Sequence, residues 1–126
     1  MASMKITKTL LIVDDEIELV AALKIRLQAQ GFDIVTAIDG DDGLNKARTM
    51  NPDLIILDLM MPKRDGFSVC KMLKFDKQYS RIPIIMLTAR IQEKDKQLGN
   101  DVGADYYMVK PFETEDLTKK IREFLP

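Results

Sequence analysis

Leu10-Leu11-Ile12-Val13-Asp14-Asp15-Glu16 sets an unbroken apolar run directly against three acids. The design recurs along the chain. Leu54-Ile55-Ile56-Leu57 ends at Asp58, Ile84-Ile85-Met86-Leu87 ends at Thr88, and Tyr106-Tyr107-Met108-Val109 ends at Lys110. A weaker fifth run, Ile34-Val35 with Thr36, lies between the first two. Apolar runs without alternation predict strands covered on both faces, as in a parallel sheet.

The segments between the runs carry helical periodicity. Leu19, Ala22, Leu23 and Leu27 fall on one helical face, and Leu117, Ile121 and Phe124 do so near the end. Asp39 to Met50 predicts a second helix, closed by Asn51-Pro52, because proline disfavours helix in the residue before it. Phe67 to Leu73 and Ile91 to Asn100 fill the two remaining slots. Gly31 and Gly103 suit left-handed stops after helices. Strands alternating with helices predict an α/β fold, a doubly wound five-stranded parallel sheet with five helices.

The 126 residues fit one domain, read here as residues 5–126, with Met1-Ala2-Ser3-Met4 set aside as a start or cloning remnant. A chain of this length buries roughly two thirds of its unfolded surface, enough for a core without staples. Hydrophobic residues at 46% and charged residues at 31% exclude a disordered or collagen-like chain. A net charge of −1 speaks against gripping a phosphate backbone by bulk charge, so no direct nucleic-acid contact is expected. No apolar run is long enough for an export signal or a membrane span. The lone Cys70 beside eight methionines fits a reducing cytoplasm and excludes an internal disulfide. The chain has no histidine, which excludes His–Cys zinc sites, serine triads and phosphohistidine transfer from this chain.

In an open α/β sheet, ligands bind at the carboxyl ends of the strands. Those ends would bring Asp14, Asp15, Glu16, Asp58, Thr88 and Lys110 to one rim. Like charges ~4 Å apart repel by about 4 kcal/mol at an effective dielectric of ~20. Such a cluster holds either protons or a cation, and hard oxygen donors point to Mg²⁺ or Mn²⁺. The plainer alternative is a solvated acidic turn with Asp14 or Asp15 capping the first helix. Asp58 suits a nucleophile toward phosphorus, with the Lys110 ammonium and the Thr88 hydroxyl taking phosphoryl oxygens.

Ile12-Val13-Asp14-Asp15-Glu16, Asp58-Leu59-Met60-Met61-Pro62 with Gly66, Leu87-Thr88-Ala89-Arg90, Gly103-Ala104-Asp105 and Lys110-Pro111-Phe112 together resemble the receiver domain of bacterial two-component response regulators. The resemblance covers the chain after Met4. It implies a flavodoxin-like strand order 2-1-3-4-5, with Asp58 as phosphoacceptor and Asp14 and Asp15 as the acidic pair. Asp15 would be the direct Mg²⁺ ligand of that pair, with Asp58 and the backbone carbonyl of Met60 completing the protein ligands. It further implies Thr88 as switch hydroxyl, Tyr107 as aromatic switch, Lys110 as the phosphate-pairing lysine and a cis Lys110–Pro111 peptide. Met60 and Arg90 resemble the OmpR/PhoB-like class and would modulate dephosphorylation. Asp105 followed by Tyr106 departs from that class, whose dimer face has two adjacent acids there.

The resemblance thus implies a phosphoacceptor switch rather than an enzyme, charged by a sensor histidine kinase or phosphotransfer protein. Its output face would be the fourth and fifth helices with the fifth strand (α4-β5-α5), able to form a phosphorylation-favoured homodimer. Lys96, Asp101, Asp105, Lys120 and Arg122 would supply its mixed charges. With nothing after Pro126, the chain reads either as a stand-alone regulator or as the receiver portion of a longer one. Haloacid-dehalogenase-like phosphatases differ in placing their nucleophile after the first strand. A flavodoxin-like FMN binder would need a hydroxyl- and glycine-rich loop where Asp14-Asp15-Glu16 stands. A degenerate receiver serving only for docking would lack signature residues that are all present here.

Overall fold

The computed structural model describes residues 7–89 and 103–126. In chain order these form β1 (Thr9–Val13), α1 (Ile17–Ala29), β2 (Asp33–Ala37), α2 (Gly40–Thr49), β3 (Leu54–Asp58), α3 (Gly66–Lys74), β4 (Ile84–Thr88), β5 (Tyr106–Val109) and a C-terminal helix (Thr114–Phe124). All five strands are parallel, in the order β2-β1-β3-β4-β5. This is the predicted doubly wound sheet, with four helices among the described residues. The helix expected over Ile91–Asn100 lies outside them, as does Arg90.

Neighbouring residues of a strand point to opposite faces, so each apolar run feeds two cores at once. Leu11, Val13, Ile55, Leu57, Ile84 and Met86 meet Leu44 and Ala47 of α2 and Val69, Cys70 and Leu73 of α3. On the other face, Leu10, Ile12, Leu54, Ile56, Ile85 and Leu87 meet Leu23 and Leu27 of α1 and Leu117 and Ile121 of the C-terminal helix. Full burial on both faces is why β1, β3 and β4 show no alternation. The edge strands β2 and β5 are only partly covered, and β2 is the run whose pattern is weakest. Cys70 is a buried core residue, its thiol pushed up to about 12 chiefly by burial.

Helix ends reflect local chemistry. Asp39 and Asp65 cap α2 and α3, each accepting from the backbone N–H three residues on. Past α1, Gly31 N–H donates to Gln28 and Phe32 N–H to Leu27, a Schellman stop with Gly31 at φ +100°. Neither Asp14 nor Asp15 caps α1. Glu16 occupies the N-cap position without a side-chain cap bond, while Asp14 accepts from Glu16 N–H at 2.9 Å. No described helix is long and apolar enough to cross a membrane.

Candidate functional site

The carboxyl ends of β1, β3, β4 and β5 open onto one rim, and backbone bonds fix how each chain leaves its strand. Asp14 N–H donates to Ala37, Leu59 N–H to Leu87, and Lys110 N–H to Thr88. These bonds deliver Asp14, Asp58, Thr88 and Lys110 to the rim from four strands. The β3–α3 loop is held from outside as well. Arg64 pairs with Asp41 at 2.9 Å and Lys63 with Asp39 at 3.5 Å, tying it to the start of α2.

Carboxylate oxygens of Asp14, Asp15 and Asp58 lie within 4.8 Å of one another. Asp14 and Asp58 are buried, whereas Asp15 is exposed. Lys110 reaches into this cluster. Its Nζ lies 2.8 Å from Asp14 Oδ2, 2.6 Å from Glu16 Oε1 and 3.5 Å from Asp58 Oδ1. Burial works against the Lys110 charge, but the bonds to Asp14 and Glu16 outweigh it and hold its pKa above the ordinary lysine value. For Asp58, burial comes first and the Asp14 charge second. Both raise the pKa, Lys110 opposes them, and the net value is about 6.

Three carboxylates therefore meet one ammonium, and the cluster of Asp14, Asp15 and Asp58 offers only hard oxygen donors. That donor set fits a small divalent cation. Asp58 presents a buried carboxylate beside a cation, the arrangement a nucleophile toward phosphorus requires.

Thr88 is buried at the last position of β4 and pairs in register with Val109. Tyr107 pairs with Met86, two residues before Thr88, so Thr88 and Tyr107 fall on the same sheet face. Tyr107 is half-buried against the core that β4 shares with α2 and α3. The Lys110–Pro111 peptide is cis. Met60, two residues past Asp58, is 73% exposed.

Sequence reasoning placed Glu16 at the rim without a role. Its grip on Lys110 depends on the turn after β1, although the run of three acids was its visible signal. Two charges assigned to the output face also sit elsewhere. Asp105 pairs with Lys74 of α3 at 2.7 Å and accepts from Ile84 N–H at 2.8 Å. Arg122 bonds Gln30 and covers the Phe32 ring, on the side of α1. Lys120 stays beside β5, 4.2 Å over the Tyr106 ring. Lys96 and Asp101 lie outside the described residues.

Residues 10–122 match the response regulator receiver domain family. The chain is 47% identical over 118 residues to the alkaline phosphatase synthesis transcriptional regulatory protein PhoP of Bacillus subtilis, covering 94% of this chain and 48% of that protein. It is 44% identical over 116 residues to the DNA-binding dual master transcriptional regulator RpaA of Synechocystis, covering 92% and 48%. It thus spans about half the length of these curated relatives. Among solved structures, the chemotaxis response regulator CheY4 of Vibrio cholerae superposes with a TM-score of 0.88 at 37% identity, covering 94% of this chain and 99% of that one.

Proposed function

Because the chain belongs to the response regulator receiver domain family, we propose that it is a phosphorylation-dependent switch with Asp58 as phosphoacceptor. The observation that carries this assignment is the buried Asp58 carboxylate at the end of β3, flanked by Asp14, Asp15 and the Lys110 ammonium. The donor is a phosphohistidine on a sensor histidine kinase or phosphotransfer protein. An Asp58 oxygen attacks phosphorus as the N–P bond breaks, and the bonding electrons stay with the imidazole. Lys110 offers an N–H to one phosphoryl oxygen and Thr88 its hydroxyl to another.

Asp15, Asp58 and the Met60 backbone carbonyl, with Asp14 beside them, would hold Mg²⁺ or Mn²⁺. That ion, when bound, supplies neutralising charge for the phosphoryl oxygens. Met60 and Arg90 modulate how readily water reaches the aspartyl phosphate.

Output arises from packing. Thr88 moving toward the phosphoryl group vacates space on the sheet face it shares with Tyr107, and the Tyr107 ring fills it. The two arrangements bias the face formed by β5 and its flanking helices, favouring a homodimer there. Residues 5–126 act as one receiver unit in the cytoplasm. The unit turns over no separate substrate and makes no direct contact with nucleic acid.

Intact-mass spectrometry with acetyl phosphate and Mg²⁺ tests the assignment. Wild type should gain one labile phosphoryl group, and Asp58→Asn should gain none while remaining folded. Uptake by Asp58→Asn at the wild-type rate would reject Asp58 as acceptor.

A further inference from the structure

Three carboxylates share the Lys110 ammonium, and only Glu16 stands outside the acidic cluster. An ammonium has three N–H donors and no more. The shortest contact, 2.6 Å, goes to Glu16, and the longest, 3.5 Å, to Asp58. The three acids also differ in burial. The Glu16 side chain is 59% exposed, against 1% for Asp14 and 7% for Asp58. Its carboxylate makes no cap bond to α1, so its contact with Lys110 is not a by-product of helix capping.

We propose that Glu16 is a positioning residue that holds Lys110 back from Asp58 in the unphosphorylated protein and yields it when a phosphoryl group arrives. This rests on the phosphoacceptor reading of Asp58 and adds a regulator to it. The phosphoryl group arrives on Asp58, whose 3.5 Å contact is the longest of the three, so a close bond from Lys110 to a phosphoryl oxygen draws the ammonium inward and strains one of the two short bonds. Releasing Asp14 would strand a buried carboxylate without its partner, which is costly. Releasing Glu16 returns an exposed carboxylate to water, at the small cost of a surface pair. The bond to Glu16 is therefore the one that breaks. Until it does, it draws the ammonium toward the outer side of the site. Glu16 and Lys110 both line a cleft of about 460 Å³ between α1 and the segment after β5. Salt in solution thus reaches this pair before it reaches the buried pair with Asp14.

Glu16→Gln keeps the side-chain length and removes the charge. With acetyl phosphate and Mg²⁺ at low ionic strength, the variant should phosphorylate about two- to fivefold faster than wild type, the range an exposed ion pair commands. The gap should close as salt screens the wild-type pair. Lysine-selective heteronuclear NMR supplies a readout that a merely structural role would not move. In unphosphorylated Glu16→Gln, the Lys110 ammonium signal should shift toward the position it takes in wild type with beryllofluoride and Mg²⁺. A variant rate equal to or below wild type, or a Lys110 signal unmoved by the substitution, overturns the proposal. Absence of any adduct on wild type overturns the phosphoacceptor reading instead, and the Lys110 signal still decides whether Glu16 holds the ammonium.

Discussion

Lys110 Nζ stands 3.5 Å from Asp58 Oδ1, although β4 lies between the strands that lead to them. Even so, this cation does not offset burial and the Asp14 charge, and Asp58 titrates near 6 rather than 3.8. In metal-free protein, folded Asp58 thus binds its proton more tightly than the unfolded chain does. By linkage, the stability it contributes is complete below about pH 4 and is lost as pH rises through about 6. A shift of this size corresponds to about 3 kcal/mol. Asp58→Asn, with no charge to bury, should be more stable than wild type by up to that amount at pH 8. The difference should vanish near pH 4. Urea unfolding in EDTA across this range checks it, and a difference independent of pH would contradict the assigned titration.

Metal binding should appear as stability too. A cation that binds only the folded cluster of Asp14, Asp15 and Asp58 adds about 2.7 kcal/mol at a hundredfold excess over its Kd. Mg²⁺ should therefore raise the Tm of wild type. Asp15 is exposed and outside both cores, so Asp15→Ala should fold normally yet lose most of that rise. Thermal melts with and without Mg²⁺ compare the two, and an undiminished rise in the variant would remove Asp15 from the ligands.

The β3–α3 loop closes on Asp58 by a backbone approach that leaves no room for a side chain at Gly66. A Cβ there would run into the Asp58 carbonyl oxygen and stand 2.9 Å from Leu59 Cα. Both are backbone atoms that cannot rotate aside, and Gly66 N–H already donates to Leu59. Gly66→Ala should cost about 1–3 kcal/mol, the range for overpacking. Because the loop carries Met60, it should also slow phosphorylation of Asp58. Gly31→Ala is the control: its Cβ would meet nothing, so only its φ of +100° is penalised. That control should lose stability while keeping the wild-type phosphorylation rate.

The fold was legible because β1, β3 and β4 are buried on both faces, which turns each into an unmistakable apolar run. The rim was legible for a related reason: in a parallel sheet every strand delivers its next residue to the same edge. What could not be read were contacts set by loop geometry. Nothing in Asp14-Asp15-Glu16 says which of its acids takes Lys110, because that depends on the turn into α1. Asp105 and Arg122 were misplaced for a similar reason. Their partners, Lys74 on α3 and Gln30 just past α1, lie far away in sequence, and periodicity within one helix does not reveal them.

Lys74 and Asp105 form an anchor between the end of α3 and the entry to β5, and this contact yields the largest expected effect outside the site. The Lys74 side chain is 11% exposed, and its Nζ meets Asp105 Oδ2 at 2.7 Å and the carbonyls of Ile82 and Ser80 at 2.7 and 3.1 Å. All three N–H donors are thus engaged. Lys74→Met keeps the aliphatic stem, removes the cation, and leaves two carbonyls and a carboxylate without their partner. Breaking a buried pair from one side costs about 3–5 kcal/mol. The Asp105 side chain is 31% exposed and can recover water, so the lower end of that range is expected. Asp105→Asn should cost less, because an amide oxygen can still accept from Ile84 N–H. A double-mutant cycle by urea unfolding should return a coupling of at least about 1 kcal/mol between the two positions. Since Asp105 directly precedes the strand that carries Tyr107, Lys74→Met should also raise amide exchange along β5 while leaving β1 protected. Additive single effects, or loosening spread evenly over all strands, would contradict an anchor at this point.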